Sequence, residues 1–253
     1  MKKIILMLLM MFSITFCLSQ NIQGIVIYKK EMLEYISDNE QFKIKNKENK
    51  ENKEFLNKIS DMDKNSKNIL REIDFVLTFI NQESSFKADP FLEVEGNRFL
   101  KLAIGASGRG LYYTNIIENK YYRHIDAYGE TFIVNFPKNE WNLFNETKEI
   151  GNYICYKAAT VKEVKGRNGI IKTPVEAWYA QDLNIPFGPL GYSGLPGLIL
   201  ELTVGKEKYI VNKIMLNPKI KVNVNEPLKG KKVTKKEFDE IGVNMMQSFK
   251  DSF

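Results

Sequence analysis

The sequence contains very little cysteine and histidine. Its 253 residues include two cysteines, Cys17 and Cys155, and one histidine, His124. Because Cys17 lies in a predicted leader, the mature chain keeps a single cysteine and cannot form an intramolecular disulfide. A zinc site needs several Cys or His ligands, and this chain has too few of them. A disulfide-held scaffold and a Cys/His zinc module are therefore excluded, and burial of apolar side chains must hold the core together.

The chain also lacks a strong excess of either charge sign. The sequence has 37 Lys and Arg against 31 Asp and Glu, a net charge of +6, and loss of the two leader lysines leaves 35 against 31, or +4. Many of the lysines lie between Lys43 and Lys67, where glutamates and asparagines separate them. This mixture is typical of a solvated surface, so we expect no nucleic-acid binding.

Only the N-terminus carries a long apolar run. Two lysines precede the nearly unbroken apolar stretch 4–16, and small residues follow at positions 17 and 19. This pattern predicts a signal peptide over residues 1–19, cleaved between Ser19 and Gln20, and hence a periplasmic or secreted protein. A lipoprotein is the alternative, but a lipid-modified cysteine normally follows a small residue, whereas Phe16 is large. No other stretch is long enough to cross a membrane, so residues 20–253 are expected to form one domain without a transmembrane segment.

Patterns of catalytic residues are weak. A dyad of Cys155 and His124 is the simplest enzyme hypothesis, yet Cys155 falls in the middle of a predicted strand, where a buried, inert thiol is the usual outcome. The segment 105–110 has glycines in the wrong order for a phosphate-binding loop. Acidic residues are too common to single out a pair for glycoside cleavage. The sequence favours a non-enzymatic protein without cofactor or metal, and a hydrolase with unidentified acidic catalytic residues is the alternative.

Periodicity predicts that most of the chain forms strands. The predicted strands begin at residue 21 and then cover 75–86, 111–117, 120–125, 131–136, 141–150, 153–164, 170–180, 198–204 and 209–216. Short strands joined by polar turns are typical of an antiparallel meander. The best hairpin joins the last two strands at Gly205 and Lys206.

Two other segments have helical spacing. Residues 47–72 are rich in Lys, Glu and Asn and place apolar residues mostly three or four positions apart, which predicts one or two helices, with a mobile lysine-rich loop as the alternative. Thr234 and Glu237 form a capping box, which predicts a helix over 235–249 docked on the sheet. The expected fold is α+β: a curved, mainly antiparallel β-sheet with a helical insert near the N-terminus and a C-terminal helix.

One long apolar connection interrupts the strand pattern. Residues 181–197 contain three prolines and four glycines and show neither helix nor strand periodicity. Pro196 and Gly197 are expected to form a type II turn, with a positive φ at Gly197. Loops that are this long and this apolar are uncommon unless they are packed down or functional.

Two interpretations of this loop stay open. In the first, its apolar side chains fold beneath it and close one end of the sheet. In the second, the loop rims a pocket with aromatic contacts, as ligand sites often have. The candidate ligand-binding residues of the second interpretation are Trp178, Tyr179, Phe187, Tyr192, Leu195 and Pro196.

Residues 194–199, with the sequence Gly-Leu-Pro-Gly-Leu-Ile, resemble the signature of the GLPGLI family of secreted bacterial proteins. The resemblance extends over roughly 151–216, where it includes a Tyr/Cys stretch at 151–158 and an Ala-Trp-Tyr strand end at 177–179. The insert before Phe75 has no counterpart in that pattern. The resemblance implies a secreted protein of unknown biochemical role from a Gram-negative envelope, and it supplies no catalytic residues.

These features together favour a periplasmic or secreted envelope protein that binds a small apolar ligand, a peptide or an envelope partner. An accessory subunit of an outer-membrane complex is a further alternative. The sequence ranks neither ligands nor oligomeric states.

Overall fold

A computed structural model describes residues 22–38, 40, 50–89, 110–166 and 169–251. Three of the sequence predictions lie outside these residues. They are the leader over 1–19, the first residues of the 47–72 insert and the glycine-rich segment 105–109.

Twelve strands form one sheet in the described part of the chain. They are β1 (Gln23–Met32), β2 (Phe75–Ile80), β3 (Glu83–Ala88), β4 (Leu111–Asn115), β5 (Lys120–Ala127), β6 (Glu130–Asn135), β7 (Asn142–Ile150), β8 (Tyr153–Gly166), β9 (Gly169–Ala180), β10 (Leu198–Val204), β11 (Glu207–Leu216) and β12 (Lys231–Thr234). Their order is β12-β6-β5-β4-β3-β2-β1-β11-β10-β9-β8-β7. Only the β12–β6 pair is parallel among the described strand pairs. The prediction of an α+β fold with a mainly antiparallel sheet is confirmed at this level.

Two α-helices accompany the sheet, α1 (Lys50–Glu72) and α2 (Lys235–Asp251). α1 runs without a break through the asparagine-rich part of its sequence and contacts β1. The Lys29 ammonium of β1 donates to the Arg71 carbonyl at 2.8 Å and pairs with Asp74 at 2.7 Å, which holds the end of α1 at the sheet. Neither helix, within the described ranges, is long and apolar enough to cross a bilayer.

The N-terminus of α2 has the predicted capping box. The Thr234 backbone N–H donates to the Glu237 carboxylate at 2.7 Å, and the Glu237 N–H donates to the Thr234 hydroxyl at 3.2 Å. Two orphan donors of the first turn are thereby satisfied. Phe238 then packs edge-on against Phe132 of β6, with ring centroids 5.4 Å apart, so α2 docks on the sheet as expected.

The sheet is strongly curled. α2 contacts both β6 and β8, although these strands lie near opposite ends of the sheet order. Register shifts in β1, β10 and β7 supply local bends, as β-bulges do in curved sheets. The face of β1 that carries Val26, Tyr28 and Lys30 is buried, so we call this face of the sheet the concave face.

One predicted strand is in fact two. The segment predicted as a single strand over 75–86 forms a hairpin, because the chain turns at Asn81 with a φ of +52°. Asparagine tolerates this left-handed conformation better than most residues. The turn brings Phe86 opposite Leu77 and adds a buried aromatic ring to the concave face.

Candidate ligand-binding site

The loop 181–197 closes one end of the concave face. It leaves β9, returns to β10, and its short 3-10 turn Pro189–Gly191 contacts β3, β4 and β5 on the opposite wall. Phe187 lies with its ring centroid 6.4 Å from that of Phe79 and is 1 % exposed. Leu195 is equally buried, and the Phe187 carbonyl accepts a hydrogen bond from the Ile199 N–H at 3.0 Å.

The segment that precedes β7 ties this loop down from the other side. The Trp141 indole N–H donates to the Ser193 carbonyl at 2.9 Å, and the Asn139 side-chain oxygen accepts from the Ser193 N–H at 3.1 Å. The Trp141 ring also lies 5.8 Å from the ring of Tyr192. The backbone of a long, buried loop is thereby hydrogen-bonded, as burial requires.

The predicted type II turn at Pro196 and Gly197 is wrong. Gly197 is absent from the residues with positive φ, and its N–H bonds to the Leu195 carbonyl at 2.8 Å, which makes a tight turn centred on Pro196. Glycine is required for another reason, since a Cβ here would lie 2.2 Å from the Ala180 carbonyl oxygen. The left-handed residues of the loop are instead Leu190, Gly191 and Gly194.

The structure does not bring the six predicted ligand-binding residues into one cavity. Phe187 and Leu195 are buried under the loop, Tyr192 is half-buried and Pro196 is exposed. Tyr179 packs on Tyr156 at 6.1 Å within the sheet. Successive side chains of a strand point to opposite faces of the sheet. Trp178 precedes Tyr179 in β9 and therefore points to the other face, which we call the convex face.

Trp178 is enclosed by charged side chains on that convex face. The Lys148 ammonium lies 4.4 Å from its ring centroid and that of Lys157 lies 5.8 Å away. The indole N–H donates to Glu176 at 2.9 Å, and Lys148 pairs with Glu201 at 2.8 Å. With these neighbours, only 9 % of the Trp178 side chain is exposed.

A polar cluster lies at the centre of the concave face, and we call it the concave cluster: Lys30, Tyr112, Arg123, Lys162, Tyr192, Glu207 and Tyr209. Lys30 is opposite Tyr209 in the strand register, and its ammonium lies 5.5 Å from that ring. The same ammonium pairs with Glu207 at 2.9 Å. Burial lowers the pKa of Lys30, and the adjacent Glu207 carboxylate partly opposes this shift.

The opposite wall of the concave cluster comes from β4 and β5. The Arg123 guanidinium lies 5.3 Å from the Tyr112 ring centroid, in cation–π geometry. Tyr112 lies against Phe86 at 6.3 Å, and a Cβ on Gly191 would approach the Tyr112 ring to 3.3 Å. Burial raises the pKa of Tyr192, and the neighbouring Tyr112 raises it further, which links the loop to this wall.

Lys162 of β8 completes the concave cluster from the far side of the sheet. It is exposed to water, yet partial desolvation by the surrounding walls lowers the pKa of its ammonium. Glu207 of β11 raises that pKa and Arg123 of β5 lowers it. Lys162 is therefore the exposed member of the concave cluster, whereas Lys30 and Tyr209 are almost completely buried.

Sequence reasoning missed the concave cluster because its members are far apart in the chain. Except for Tyr192 of the loop, each one is a polar residue at an inward position of a strand. The clearest sequence signal is Lys30, which continues the alternation of Val26 and Tyr28. A charged residue at a core position is rarely buried without a partner.

A second cavity, of about 240 Å³, lies on the opposite face of β5 and β6. Its lining residues are Tyr122, Ile133, Asn135, Lys232, Val233, Thr234 and Glu237. Lys232 and Glu237 give it one charge of each sign.

The Cys155–His124 hypothesis finds no support in the geometry of the two residues. Cys155 is fully buried, its thiol contacts the Tyr153 carbonyl, and burial raises the pKa of the thiol to about 11. His124 instead donates from Nε2 to the Lys229 carbonyl at 3.0 Å. Across the described residues, no group of three or more His, Cys, Asp or Glu side chains could hold a metal ion.

Comparison with known proteins adds one partial family match. A family model described as "Protein of unknown function (Porph_ging)" matches residues 169–201, which run from β9 through the loop into β10. No curated protein matches the chain significantly.

Two solved structures, described as "Structure of PNGF-II in P21 space group" and "Structure of PNGF-II in C2 space group", are similar to the chain. They are 14 % and 13 % identical, the matches cover 84 % and 89 % of this chain, and the TM-scores are 0.45 and 0.44. The chain spans about a third of their length, 31 % and 32 %. At such TM-scores the likeness carries no inference about function.

Proposed function

We propose that this protein is a non-enzymatic binding protein of the bacterial envelope, periplasmic or secreted, which holds a ligand in the concavity of its curled sheet. The observation that carries the proposal is the concave cluster, in which aromatic rings and charged groups from three parts of the sheet and from the loop converge while water still reaches Lys162. A small apolar molecule and a peptide segment are the ligand classes that fit such a surface.

The composition of the concavity supports a ligand site. Binding pockets are mostly apolar and aromatic, with a few placed polar groups that fix orientation. Here the half-buried rings of Tyr112 and Tyr192 supply the apolar surface, and the charged members of the cluster supply the polar groups. The buried rings of Phe86 and Tyr209, 6.0 Å apart, support this wall from behind.

We also propose that the chain is a GLPGLI protein that is exported through cleavage of residues 1–19. The support is the signature at 194–199, which falls inside the matched segment 169–201, together with the charged and apolar pattern of the leader. Fractionation of cells that express the full chain, with N-terminal sequencing of the product, tests this: we expect periplasmic or secreted protein that begins at Gln20, and cytoplasmic protein that begins at Met1 contradicts it.

Native mass spectrometry of the mature protein, purified from the periplasm, tests the binding role. We expect wild-type protein to carry the added mass of a bound small molecule or peptide. Tyr112→Leu, on the concave face, should lose this mass, and Tyr122→Leu, on the next strand but lining the second cavity, should keep it. Wild-type protein without added mass, or Tyr112→Leu that retains it, overturns the proposal.

A further inference from the structure

The second cavity brings two opposite charges to one space without pairing them. Lys232 of β12 and Glu237 of α2 both line this cavity of about 240 Å³. Within the described part of the chain, Lys232 forms no ion pair shorter than 4.0 Å, so the two charged groups are not in contact. A molecule that carries both charge signs could contact the two groups at once.

The Glu237 carboxylate is held in place and keeps one oxygen available. Its Oε2 atom accepts the Thr234 backbone N–H at 2.7 Å and the Thr234 hydroxyl at 2.9 Å. No residue that the structure describes donates to its Oε1 atom. The hydrogen bonds from Thr234 lower the pKa of Glu237, so the carboxylate is ionised at neutral pH and can accept from the ammonium of a ligand.

The side of the cavity formed by β5 and β6 is largely apolar. Ile133 of β6 lies opposite Lys232 in the strand register and is 1 % exposed. Tyr122 of β5 is half-buried and stacks on Tyr113, with ring centroids 6.2 Å apart. The Tyr113 hydroxyl donates to Glu83 at 3.1 Å and thereby fixes the ring on which Tyr122 stacks. A preformed apolar surface of this kind lowers the entropic cost of binding.

Asn135 supplies a further polar group at the middle of the lining. In the strand register it lies opposite Tyr122 of β5 on one side and Thr234 of β12 on the other. Its side chain forms no hydrogen bond with the residues that the structure describes. A side-chain amide has both donors and an acceptor, so Asn135 can bind a carboxylate or an ammonium.

The size and charge of the lining favour a small molecule without net charge. The cavity is smaller than the roughly 300–1,000 Å³ of pockets for drug-sized ligands. A simple anion would lie near Glu237, and a simple cation would lie near Lys232, so each would be repelled by one group. An uncharged polar molecule would leave both groups without a counter-charge, whereas a zwitterion compensates both.

We propose that the second cavity binds a free α-amino acid with an apolar side chain. The carboxylate of the amino acid binds the Lys232 ammonium, its ammonium binds Oε1 of Glu237, and its side chain lies against Tyr122 and Ile133. This site is separate from the concave cluster, and the inference goes beyond the proposed function.

A ¹³C-tyrosine NMR titration tests the inference, with the ring signal of Tyr122 as the reporter of occupancy. The probes are L-leucine, N-acetyl-L-leucine, which lacks the ammonium, L-leucinamide, which lacks the carboxylate, and glucose, an uncharged polyol. The titration is made at about pH 6, where an α-amino group is charged. The ionic strength is kept low, because salt screens exposed charges.

Two variants with matched controls assign the two ends of the ligand. Lys232→Gln is compared with Lys231→Gln, at a neighbouring exposed lysine that pairs with Glu130 at 3.6 Å. Glu237→Gln is compared with Glu240→Gln, one turn further along α2, where the carboxylate pairs with Lys165 at 2.8 Å. Glutamine at position 237 can still form a capping box, so the fold should be kept.

We expect wild-type protein to bind L-leucine about threefold to tenfold more tightly than either derivative, because ion pairs at exposed groups contribute modestly. Lys232→Gln should lose the preference over L-leucinamide and keep the preference over N-acetyl-L-leucine. Glu237→Gln should show the opposite pattern. Both control variants should keep both preferences, and glucose should bind more weakly than L-leucine.

Three results overturn the inference: a Tyr122 signal that L-leucine does not shift, equal binding of L-leucine and its two derivatives, or tighter binding of glucose than of L-leucine. If urea unfolding shows that Glu237→Gln has lost its fold, the Lys232→Gln pattern decides alone. None of these results bears on the concave site, because native mass spectrometry tests its ligand separately.

Discussion

The loop end and the centre of the concave face use similar side chains in opposite ways. At the loop end, Phe187 and Leu195 are almost completely buried, and the polar groups of Ser193 are both hydrogen-bonded by the chain itself. At the centre, Tyr112 is half-buried, and Lys162 is exposed without an ion pair among the described residues. Aromatic side chains are therefore fully covered at one end of the concave face and only partly covered in the middle, where we propose that a ligand binds.

The comparison teaches that aromatic residues near a signature motif are not in themselves evidence of a pocket. A ring whose surroundings are complete contributes to stability, whereas an incompletely covered ring beside an uncompensated charge is available to a ligand. The two regions should consequently respond to mutation in opposite ways. Substitutions at the loop end should lower stability and leave binding intact, and substitutions in the concave cluster should do the reverse.

Phe187→Ala should have the largest effect on stability. Removal of a fully buried phenylalanine costs about 3–5 kcal/mol, and Phe187 fills the space against Phe79. Urea unfolding measures the loss, and Phe144→Ala, at a ring that is 42 % exposed, is the control with an expected cost below about 0.5 kcal/mol. Loss of ligand binding in Phe187→Ala without a large loss of stability would restore the pocket interpretation of the loop.

Gly197→Ala should destabilise the loop by about 3 kcal/mol, since the new Cβ would meet the Ala180 carbonyl oxygen at 2.2 Å and the backbone has no room to yield. Gly194→Ala is the matched control, because its Cβ would meet only the Lys138 side chain, at 3.9 Å. An alanine at the φ of +88° found here costs about 1–2 kcal/mol of stability. Equal losses for the two variants in urea unfolding would show that close approach is not the reason for glycine at position 197.

Trp141→Phe should cost about 1 kcal/mol beyond any change in packing, because the buried Ser193 carbonyl loses its 2.9 Å donor. The same variant keeps a ring beside Tyr192. Thermal unfolding of Trp141→Phe and of Trp178→Phe gives the comparison, since the Trp178 indole donates to a carboxylate that is already ion-paired with Lys157. A smaller loss for Trp141→Phe than for Trp178→Phe would contradict the account of how the loop is tied down.

Lys162→Gln should have the smallest effect on stability, within about 0.5 kcal/mol, and in the stabilising direction. Folding lowers the pKa of Lys162, so the charged form of its side chain destabilises the folded state. This destabilisation is complete at a pH below the folded-state pKa, and it disappears as the pH rises toward 10.5, the ordinary pKa of lysine. The gain from the substitution should therefore be seen at pH 7 and shrink at alkaline pH in urea unfolding. A clear loss of stability at pH 7 would mean that Lys162 is a structural cation.

Much of the fold follows from local patterns. The alternation of β1, β10 and β11 and the capping box at Thr234 are properties of neighbouring residues, and they predict the elements that form. The turn at Asn81 escaped prediction because the residues on both sides of it have strand character, and only the φ of one asparagine separates β2 from β3. The reason for glycine at position 197 was predicted wrongly because its constraint is a contact with Ala180, at the other end of the loop. Local turn chemistry does not report such contacts.

The candidate site was far less accessible to sequence reasoning. Lys30, Arg123 and Lys162 lie on three strands that are separated by much of the chain, and only the curl of the sheet makes them neighbours. That curl depends on bulges and on the docking of α2 across β6 and β8, neither of which has a reliable sequence pattern. The aromatic residues beside the signature drew attention because they are close in sequence, yet Trp178 and Tyr179 alternate to opposite faces.

The most direct test of the account is a ¹³C-tyrosine NMR titration of the mature protein with dodecanoate. The account predicts that the ring signals of Tyr112 and Tyr192 shift with the ligand concentration, and that those of Tyr35 and Tyr128, outside the concave cluster, stay in place. Shifts confined to Tyr122 and its stacked neighbour Tyr113 would move the ligand to the second cavity, and this result would contradict the assignment of the concave face as the binding site.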